Sequence, residues 1–267
     1  ILKLKNFSIL HARFEIINLY ILIKNFLNFK FSLLDYYETY INFVKPKIVI
    51  TVVDNALNFY ELKKRFKNII FISIQNGLRT RGKNDIFYNI KKKNYICDYI
   101  FVFNKLIAKE YTKIVKSKYI VNGSIKNNLI KIKKTKFKKS FLYISRFRID
   151  KPFEHFSFEK KLLQNMEKFF VRNNLKLHIL LTRQKKYREL EIKFYNEILK
   201  NNFKIIQPIN INQTYNAINY YENILFINST LGYEAIARFK KIGIFSFIKY
   251  PEEIDYFGWP QKKKLFK

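Results

Sequence analysis

The feature that most constrains this chain is a repeated alternation of short β-branched apolar runs with stretches of helical spacing. Residues 47–53 read KIVITVV and residues 68–74 read NIIFISI. Runs this apolar suit strands buried on both faces, as in a parallel sheet. Residues 95–103 (YICDYIFVF) and 118–121 continue the set. Between them, residues 55–66 and 105–115 carry apolar side chains at the spacing of a helix. Helices are also predicted at 13–29 and 32–44, the second ended by Pro46. Residues 126–139 change character. Within them the stretch 131–139 (KIKKTKFKK) has only Ile132 and Phe137 as apolar anchors, and it reads as a basic linker. The alternation then restarts, with strands predicted at 141–144, 175–181, 203–206, 223–227 and 242–247. Helices are predicted at 158–173, 187–201, 214–221 and 231–239. The fold class is therefore α/β, with two Rossmann-like domains in tandem over residues 1–130 and 140–267, joined by the linker at 131–139. The first half enters on a helix with little strand before it, and the second stops soon after Trp259-Pro260. The chain begins at Ile1 rather than Met, and truncation at one or both ends is expected.

Several chemistries are excluded by residue count. Cys97 is the only cysteine, so there is no intramolecular disulfide and no cysteine-built zinc site. His11, His155 and His178 are too far apart in sequence for metal-ligand spacing, and no metal is expected. No apolar run reaches the ~18–20 residues of a spanning helix. No signal peptide is visible. The net charge is +32, but 42 of the 52 basic residues are Lys, alongside abundant Ile, Asn, Phe and Tyr. These residues have A/T-rich codons, so genome bias accounts for much of the charge as solvated lysine. A nucleic-acid reader would use more Arg, whose planar fork suits phosphate and base edges. Adhesion to anionic lipid is a third reading of the lysines.

In open parallel sheets the carboxyl ends of the strands line the ligand crevice. Six polar segments fall there: Asp54-Asn55, Gln75-Asn76-Gly77-Leu78-Arg79, Asn122-Gly123-Ser124, Ser145-Arg146, Thr182-Arg183 and Asn228-Ser229-Thr230. Polar βα loops are common, but six at corresponding positions in two halves point to a cleft between the domains. The sharpest is Asn228-Ser229-Thr230-Leu231-Gly232-Tyr233-Glu234-Ala235, where a strand delivers hydroxyl residues to a helix start. Free backbone N–H groups there favour a phosphate. Gly232 would admit a ligand or neighbouring backbone, and Glu234 could accept hydrogen bonds from ribose hydroxyls. An ordinary helix cap, Ser or Thr followed by an acid, explains the same residues.

The stretch from Ser229 to Ala235, with the helix and Lys240-Lys241-Ile242-Gly243-Ile244-Phe245 after it, resembles the nucleotide-sugar-binding region of GT-B glycosyltransferases. UDP-N-acetylglucosamine 2-epimerases and CDP-glycerol transferases share that architecture. Residues 50–55 (ITVVDN) followed by 74–79 (IQNGLR) are similar to bacterial surface-carbohydrate or O-antigen biosynthesis proteins. The resemblance spans roughly Phe7 to Trp259. The glycine-rich loop of many GT-B amino-terminal domains is missing, which fits a truncated start or a different acceptor site. The resemblance implies that the two domains face a cleft, with the second binding the donor. It assigns Ser229, Thr230 and Glu234 to donor diphosphate and ribose. It places Ser145, Arg146, Arg148, Thr182 and Arg183 near the phosphates, where an arginine would neutralise the leaving diphosphate without metal. Asn228 and Gly232 complete the donor set. Asn55, Gln75, Asn76, Gly77, Arg79, Asn122, Gly123 and Ser124 fall on the acceptor side.

An inverting transfer needs a base for the acceptor hydroxyl. Asp54, at the end of an apolar strand, is the first candidate, and His11 the second. A cap of the helix from Asn55 is the slightly favoured reading of Asp54. His178 reads as a core histidine, Cys97 as a small buried hydrophobe, and His155 carries no signal. Phe26, Phe29, Phe31, Tyr36, Tyr37 and Tyr40 alternate with Lys24 and Lys30, which suits a membrane-facing ridge or, as the slightly favoured reading, core on one face with snorkelling lysines. The expected function is transfer of a sugar from a nucleotide-sugar, the substrate and not a cofactor, to a surface-polysaccharide or lipopolysaccharide acceptor, free or lipid-linked. It would run in the cytoplasm at the inner face of the plasma membrane, with an anionic membrane surface as a partner and no specific nucleic acid. A nucleotide-sugar epimerase and a non-catalytic RNA- or anionic-lipid-binding module are the alternatives.

Overall fold

A computed structural model describes residues 6–11, 16–77, 94–147, 153–182, 185–200, 203–227 and 229–245. They form two compact units that part between Ile125 and Lys126. Both are Rossmann-like, each a parallel sheet with helical crossovers.

The first unit contains α1 (Leu19–Leu27), α2 (Leu33–Val44), β1 (Ile48–Thr51), α3 (Leu57–Arg65), β2 (Ile70–Ile74), β3 (Tyr95–Val102), α4 (Lys105–Thr112) and β4 (Val115–Val121). Its strands lie in the order β1-β2-β3-β4, all parallel. With the strands laid in sequence order, α3 and α4 lie over the same face. Phe71, Ile100 and Val102 lie on that face, buried with Phe59, Tyr60 and Tyr111. On the opposite pleat face Ile48, Ile50 and Ile70 remain exposed. Helix α1 starts at Leu19, later than predicted, because the Asn18 side chain accepts from the Ile21 N–H and caps it. Ser32 and Asp35 form a reciprocal capping box that fixes the start of α2. The aromatic series from Phe26 to Tyr40 divides. Tyr36 and Tyr37 are core, whereas Phe26, Phe29 and Phe31 are exposed.

The second unit opens with α5 (Ile125–Asn128) at the boundary. It continues through β5 (Phe137–Ile144), α6 (Phe153–Arg172), β6 (Lys176–Leu180), α7 (Arg188–Ile198), β7 (Phe203–Ile206), α8 (Ile211–Tyr220), β8 (Tyr221–Phe226), α9 (Thr230–Glu234) and β9 (Lys241–Ile244). The parallel sheet has the order β7-β6-β5-β8-β9. Alternation along β5 serves two cores. Tyr143 packs with α6 and α7 through Leu163, Phe170, Tyr195 and Ile198. Leu142 and Ile144 pack with Ala217 and Ile218 of α8 and with Phe226. The order reverses between β5 and β8, a topological switch point.

Every predicted strand is present, with shifted ends except at β7. The expected linker differs most. Residues 137–139 begin β5, and the backbone before them is tied to the second unit. Asn219 Nδ2 donates to the Lys131 carbonyl at 3.0 Å, and the Lys136 N–H donates to the Tyr220 carbonyl at 2.8 Å. Composition read this stretch as loose because its side chains are lysines, but its backbone is anchored. The anchor is Arg238, which is almost fully buried. Its Nε donates to Asn127 Oδ1 at 2.6 Å, and its Nη atoms donate to Asn219 Oδ1 and to the Asn127 and Ile130 carbonyls at 2.7–2.8 Å. Burial lowers its pKa, yet guanidinium stays charged at any ordinary pH. Replacing Arg238 by Lys keeps a charge but not the planar fork. Several buried acceptors lose partners, each at about 1–3 kcal/mol. Arg238→Lys is expected to destabilise the second unit by at least about 2 kcal/mol in denaturant titration, with faster amide exchange over residues 127–131.

Candidate functional site

In the first unit the strand ends are closed by buried polar side chains. Asp54 follows β1 with 0% exposure. Its Oδ2 accepts from the Tyr111 hydroxyl and its Oδ1 from the Asn76 N–H at 3.3 Å. The Tyr60 hydroxyl donates to its carbonyl. Gln75 after β2 is also buried. Its Nε2 donates to the Gly77 carbonyl at 2.8 Å, and its Oε1 accepts from the Phe103 N–H at 2.9 Å. The Asn122 N–H after β4 donates to the Val102 carbonyl. Gly123 has φ +70°, a conformation that favours glycine. Asp54, Gln75 and Asn76 are thus brought together. Asn55, Gly77, Asn122, Gly123 and Ser124 are half-buried, as is His11.

The cap expectation for Asp54 changes. Helix α3 is capped at Ala56, with no side-chain bond, so Asp54 is not its cap. Both carboxylate oxygens are engaged inside the fold. That geometry makes Asp54 a tie that holds the Asn76 loop. Cys97 is buried, and burial pushes its thiol up to about 11, the state of an inert core thiol. His178 is half-buried mid-strand and bonds to the Tyr221 hydroxyl. Burial, then Lys204 and Lys176, lower its pKa.

In the second unit Ser145 follows β5 and Ser229-Thr230 follow β8, on the two sides of the switch point. Ser145 is buried. Its Oγ donates to Glu191 Oε1, lies 2.8 Å from the Tyr195 hydroxyl oxygen, and accepts from the Phe147 N–H at 3.3 Å. Thr182, after β6, donates through its N–H to the same Glu191 oxygen at 3.1 Å and through Oγ1 to the Ser145 carbonyl at 3.2 Å. Glu159 of α6 lies alongside. Its Oε1 accepts from Tyr143 and Tyr195 at 2.7 and 2.9 Å and from the Arg146 N–H at 3.4 Å. The side chains of Ser145 and Thr182 therefore fix the strand ends, while the backbone they hold is what borders the switch point.

Ser229 occupies the N-cap position of α9 in extended conformation, with no side-chain bond to the helix. The capping-box explanation of this motif is therefore not realised. Gly232 serves packing: a Cβ there would meet the Phe226 ring at 2.4 Å. Glu234 is half-buried and accepts from the Tyr215 hydroxyl at 2.5 Å. The Tyr215 ring lies 4.8 Å under the Arg238 guanidinium carbon. Arg79, Arg148, Arg183 and Asn228 lie outside the described residues, as does Trp259. No group of three or more potential metal ligands gathers among the described residues.

Sequence reasoning missed Glu159, Glu191, Tyr195, Tyr111 and Arg238. A signal existed for the carboxylates. Acidic residues number only 20, and Glu191 shares its helix stripe with Tyr195 and Ile198 at four- and seven-residue spacing. An acid on an apolar stripe requires buried partners.

A family model described as "putative O-antigen biosynthesis protein" matches residues 70–265, well over half of the chain. The chain belongs to that family. No curated protein matches the sequence. Among solved structures, a Listeria monocytogenes protein described as "putative UDP-N-acetylglucosamine 2-epimerase" has a TM-score of 0.55 at 14% identity, covering 83% of this chain and 63% of its own. MnaA of S. aureus, solved with UDP, has 0.53 at 16%, covering 78% and 59%. The Methanocaldococcus jannaschii UDP-GlcNAc 2-epimerase, in complex with UDP-GlcNAc and UDP, has 0.51 at 15%, covering 80% and 63%. The chain thus spans about three fifths of the length of each. These likenesses establish a fold of the GT-B and 2-epimerase type for this member of the O-antigen family.

The Glu159 cluster makes a pH test available. Desolvation is the largest influence and raises the Glu159 pKa, against its bonds from Tyr143, Tyr195 and the Arg146 backbone. A carboxyl with a raised folded-state pKa contributes stability below its unfolded pKa, and that contribution is lost as pH rises through the folded value. Glu159→Gln mimics the protonated form. Relative to wild type, the variant is expected to gain stability progressively as pH rises from about 4.5 through the raised pKa, read by denaturant titration across pH.

Proposed function

We propose that this O-antigen-family chain is part of a metal-independent glycosyltransferase that moves a sugar from a nucleotide-activated donor to a surface-polysaccharide or lipopolysaccharide acceptor, with donor binding in the second unit. One observation carries the reading: the β5/β8 switch point, bordered by Ser145-Arg146 and Ser229-Thr230. Ligands of open α/β sheets bind at such reversals, beyond the carboxyl ends of the strands. Backbone N–H groups of the Ser229-Thr230 turn suit a diphosphate, and Arg146 supplies compensating charge. Glu234, one turn on and bonded to Tyr215, is the proposed ribose contact. Arg148, Thr182, Arg183 and Asn228 belong to the same proposed donor side. The acceptor side is proposed to include Gln75, Asn76, Asn122 and Ser124. With Asp54 locked inside the fold, His11 becomes the first residue to test as acceptor base.

The experiment is thermal unfolding with UDP, GDP and CDP and their sugars. Ligand at about 100 times its Kd adds roughly 2.7 kcal/mol. One nucleotide is expected to give this shift, and Arg146→Ala and Ser229→Ala to weaken it. A folded protein that no nucleotide stabilises would overturn donor binding in this unit.

A second enzyme reading, nucleotide-sugar 2-epimerisation, draws on the similar solved structures, two of which are described as 2-epimerases. The two readings separate when the donor is incubated without acceptor, since only an epimerase forms an epimeric nucleotide-sugar. Asp54→Asn bears on both. Asn retains an acceptor for the Asn76 N–H, and the Tyr111 hydroxyl can reorient. Stability and turnover are therefore expected to change little, whereas Asp54→Ala orphans both donors at about 1–3 kcal/mol. A fall of about 10²–10⁴ in turnover for Asp54→Asn at unchanged stability would restore Asp54 as a base.

A further inference from the structure

Helix α1 is inverted. Its buried stripe is Ile21 and Asn25, and Asn25 accepts from the buried Thr39 hydroxyl of α2. The opposite, exposed face carries Leu19, Leu22, Ile23, Phe26 and Leu27. A helix of a water-facing surface has the reverse arrangement. The apolar face continues into the α1–α2 turn, where Phe26, Phe29 and Phe31 are 68, 85 and 71% exposed. Phe29 has φ +54°. Glycine or asparagine adopts that left-handed conformation readily and a bulky residue does so with strain, so the turn holds an aromatic outward against its local preference.

The rim of this face is cationic. Lys24 and Lys30 flank it, and Lys45 and Lys47 follow α2; all four are exposed. The nearby carboxylates of α2 do not neutralise them, because Asp35 and Glu38 are both engaged by Arg65. A net charge of +32 opposes pairing with a second copy. An occupant must therefore be apolar within and anionic at its surface. No described helix is long and apolar enough to cross a membrane, so the face would lie on a bilayer and not span it.

We propose that α1 and the α1–α2 turn dock on an anionic lipid bilayer, inserting Phe26 and Phe29 at headgroup depth with Lys24 and Lys30 on lipid phosphates. Apolar area plus lysine attraction is how interfacial helices bind. The proposal is independent of the donor site, and nucleotide-induced stabilisation reports that site separately.

The test is vesicle co-flotation of the full chain with phosphatidylcholine alone and with phosphatidylcholine–phosphatidylglycerol. Binding is expected on the anionic vesicles only. Phe26→Ser and Phe29→Ser should each lower partitioning roughly tenfold, and Lys24→Gln and Lys30→Gln about fivefold each. All four positions are exposed, and unchanged circular dichroism verifies folding. Leu129→Ser with Ile209→Ser, exposed apolar sites in the second unit, should leave binding unchanged. Trp259 is the only tryptophan. In a Trp259→Phe background, Phe29→Trp should shift to the blue on anionic vesicles and be quenched by brominated lipid. Binding insensitive to Phe26 and Phe29, equal loss in the second-unit pair, or unshifted emission would reduce the effect to general adhesion of a basic protein and overturn the proposal. So would lipid-free self-association that the phenylalanine substitutions abolish, since the face would then be a contact between copies.

Discussion

A parallel sheet brings all its strand ends to one edge, where the chain must turn with its backbone polar groups still satisfied. In this protein buried carboxylates close that edge. Asp54 joins the β1 end to the Asn76 backbone and to Tyr111 of α4. Glu191 joins the ends of β5 and β6 through Ser145 and Thr182, and Glu159 joins Tyr143, Tyr195 and the Arg146 backbone beside it. A buried charge is tolerated only with such a set of donors, and deleting one donor costs far more than an exposed hydrogen bond contributes. The Ser145-Arg146 loop beside the β5/β8 switch point owes its position to this closure.

The same constraint divides the charged residues by role. Against 52 basic side chains the chain has 20 acidic ones, and three of these, Asp54, Glu159 and Glu191, are buried within hydrogen-bond networks. Most lysines stay in solvent, where long stems and compact charges are easily hydrated. Among the described residues Arg238, Lys240 and Lys63 are buried cations. Only a planar fork could satisfy Asn127, Ile130 and Asn219 together, and through it the basic stretch after α5 becomes part of the second unit.

The two units use one pattern with different outcomes. In the second, the strand order reverses, both sheet faces are covered, and a switch point results. In the first, the order is monotonic, α3 and α4 share one face, and Ile48, Ile50 and Ile70 stay exposed on the other. The inverted helix α1 adds a second exposed apolar surface to that unit. Local pattern alone would have turned the face of α1 inward. Its buried side is seated by Ile21 in the core, by the Asn25–Thr39 hydrogen bond, and by the Tyr36 hydroxyl receiving the Asn18 N–H at the helix start.

The sequence by itself determined the α/β class, the two tandem sets of parallel strands and the polar character of their ends. β-branched apolar runs and helical spacing are local properties, readable within ten residues. It also marked the Ser229–Glu234 junction, because a strand, a hydroxyl pair and a helix follow one another directly. What only tertiary structure decided were the pairings between distant residues: Asp54 with Tyr111, Ser145 with Glu191, Glu234 with Tyr215, Arg238 with Asn127. These made Asp54 a buried tie between strand ends and turned a basic linker into an anchored segment. The physical reason is the same in each case. A side chain's role follows from which donors, acceptors and rings reach it, and those arrive from elements 19 to 111 residues away in the chain.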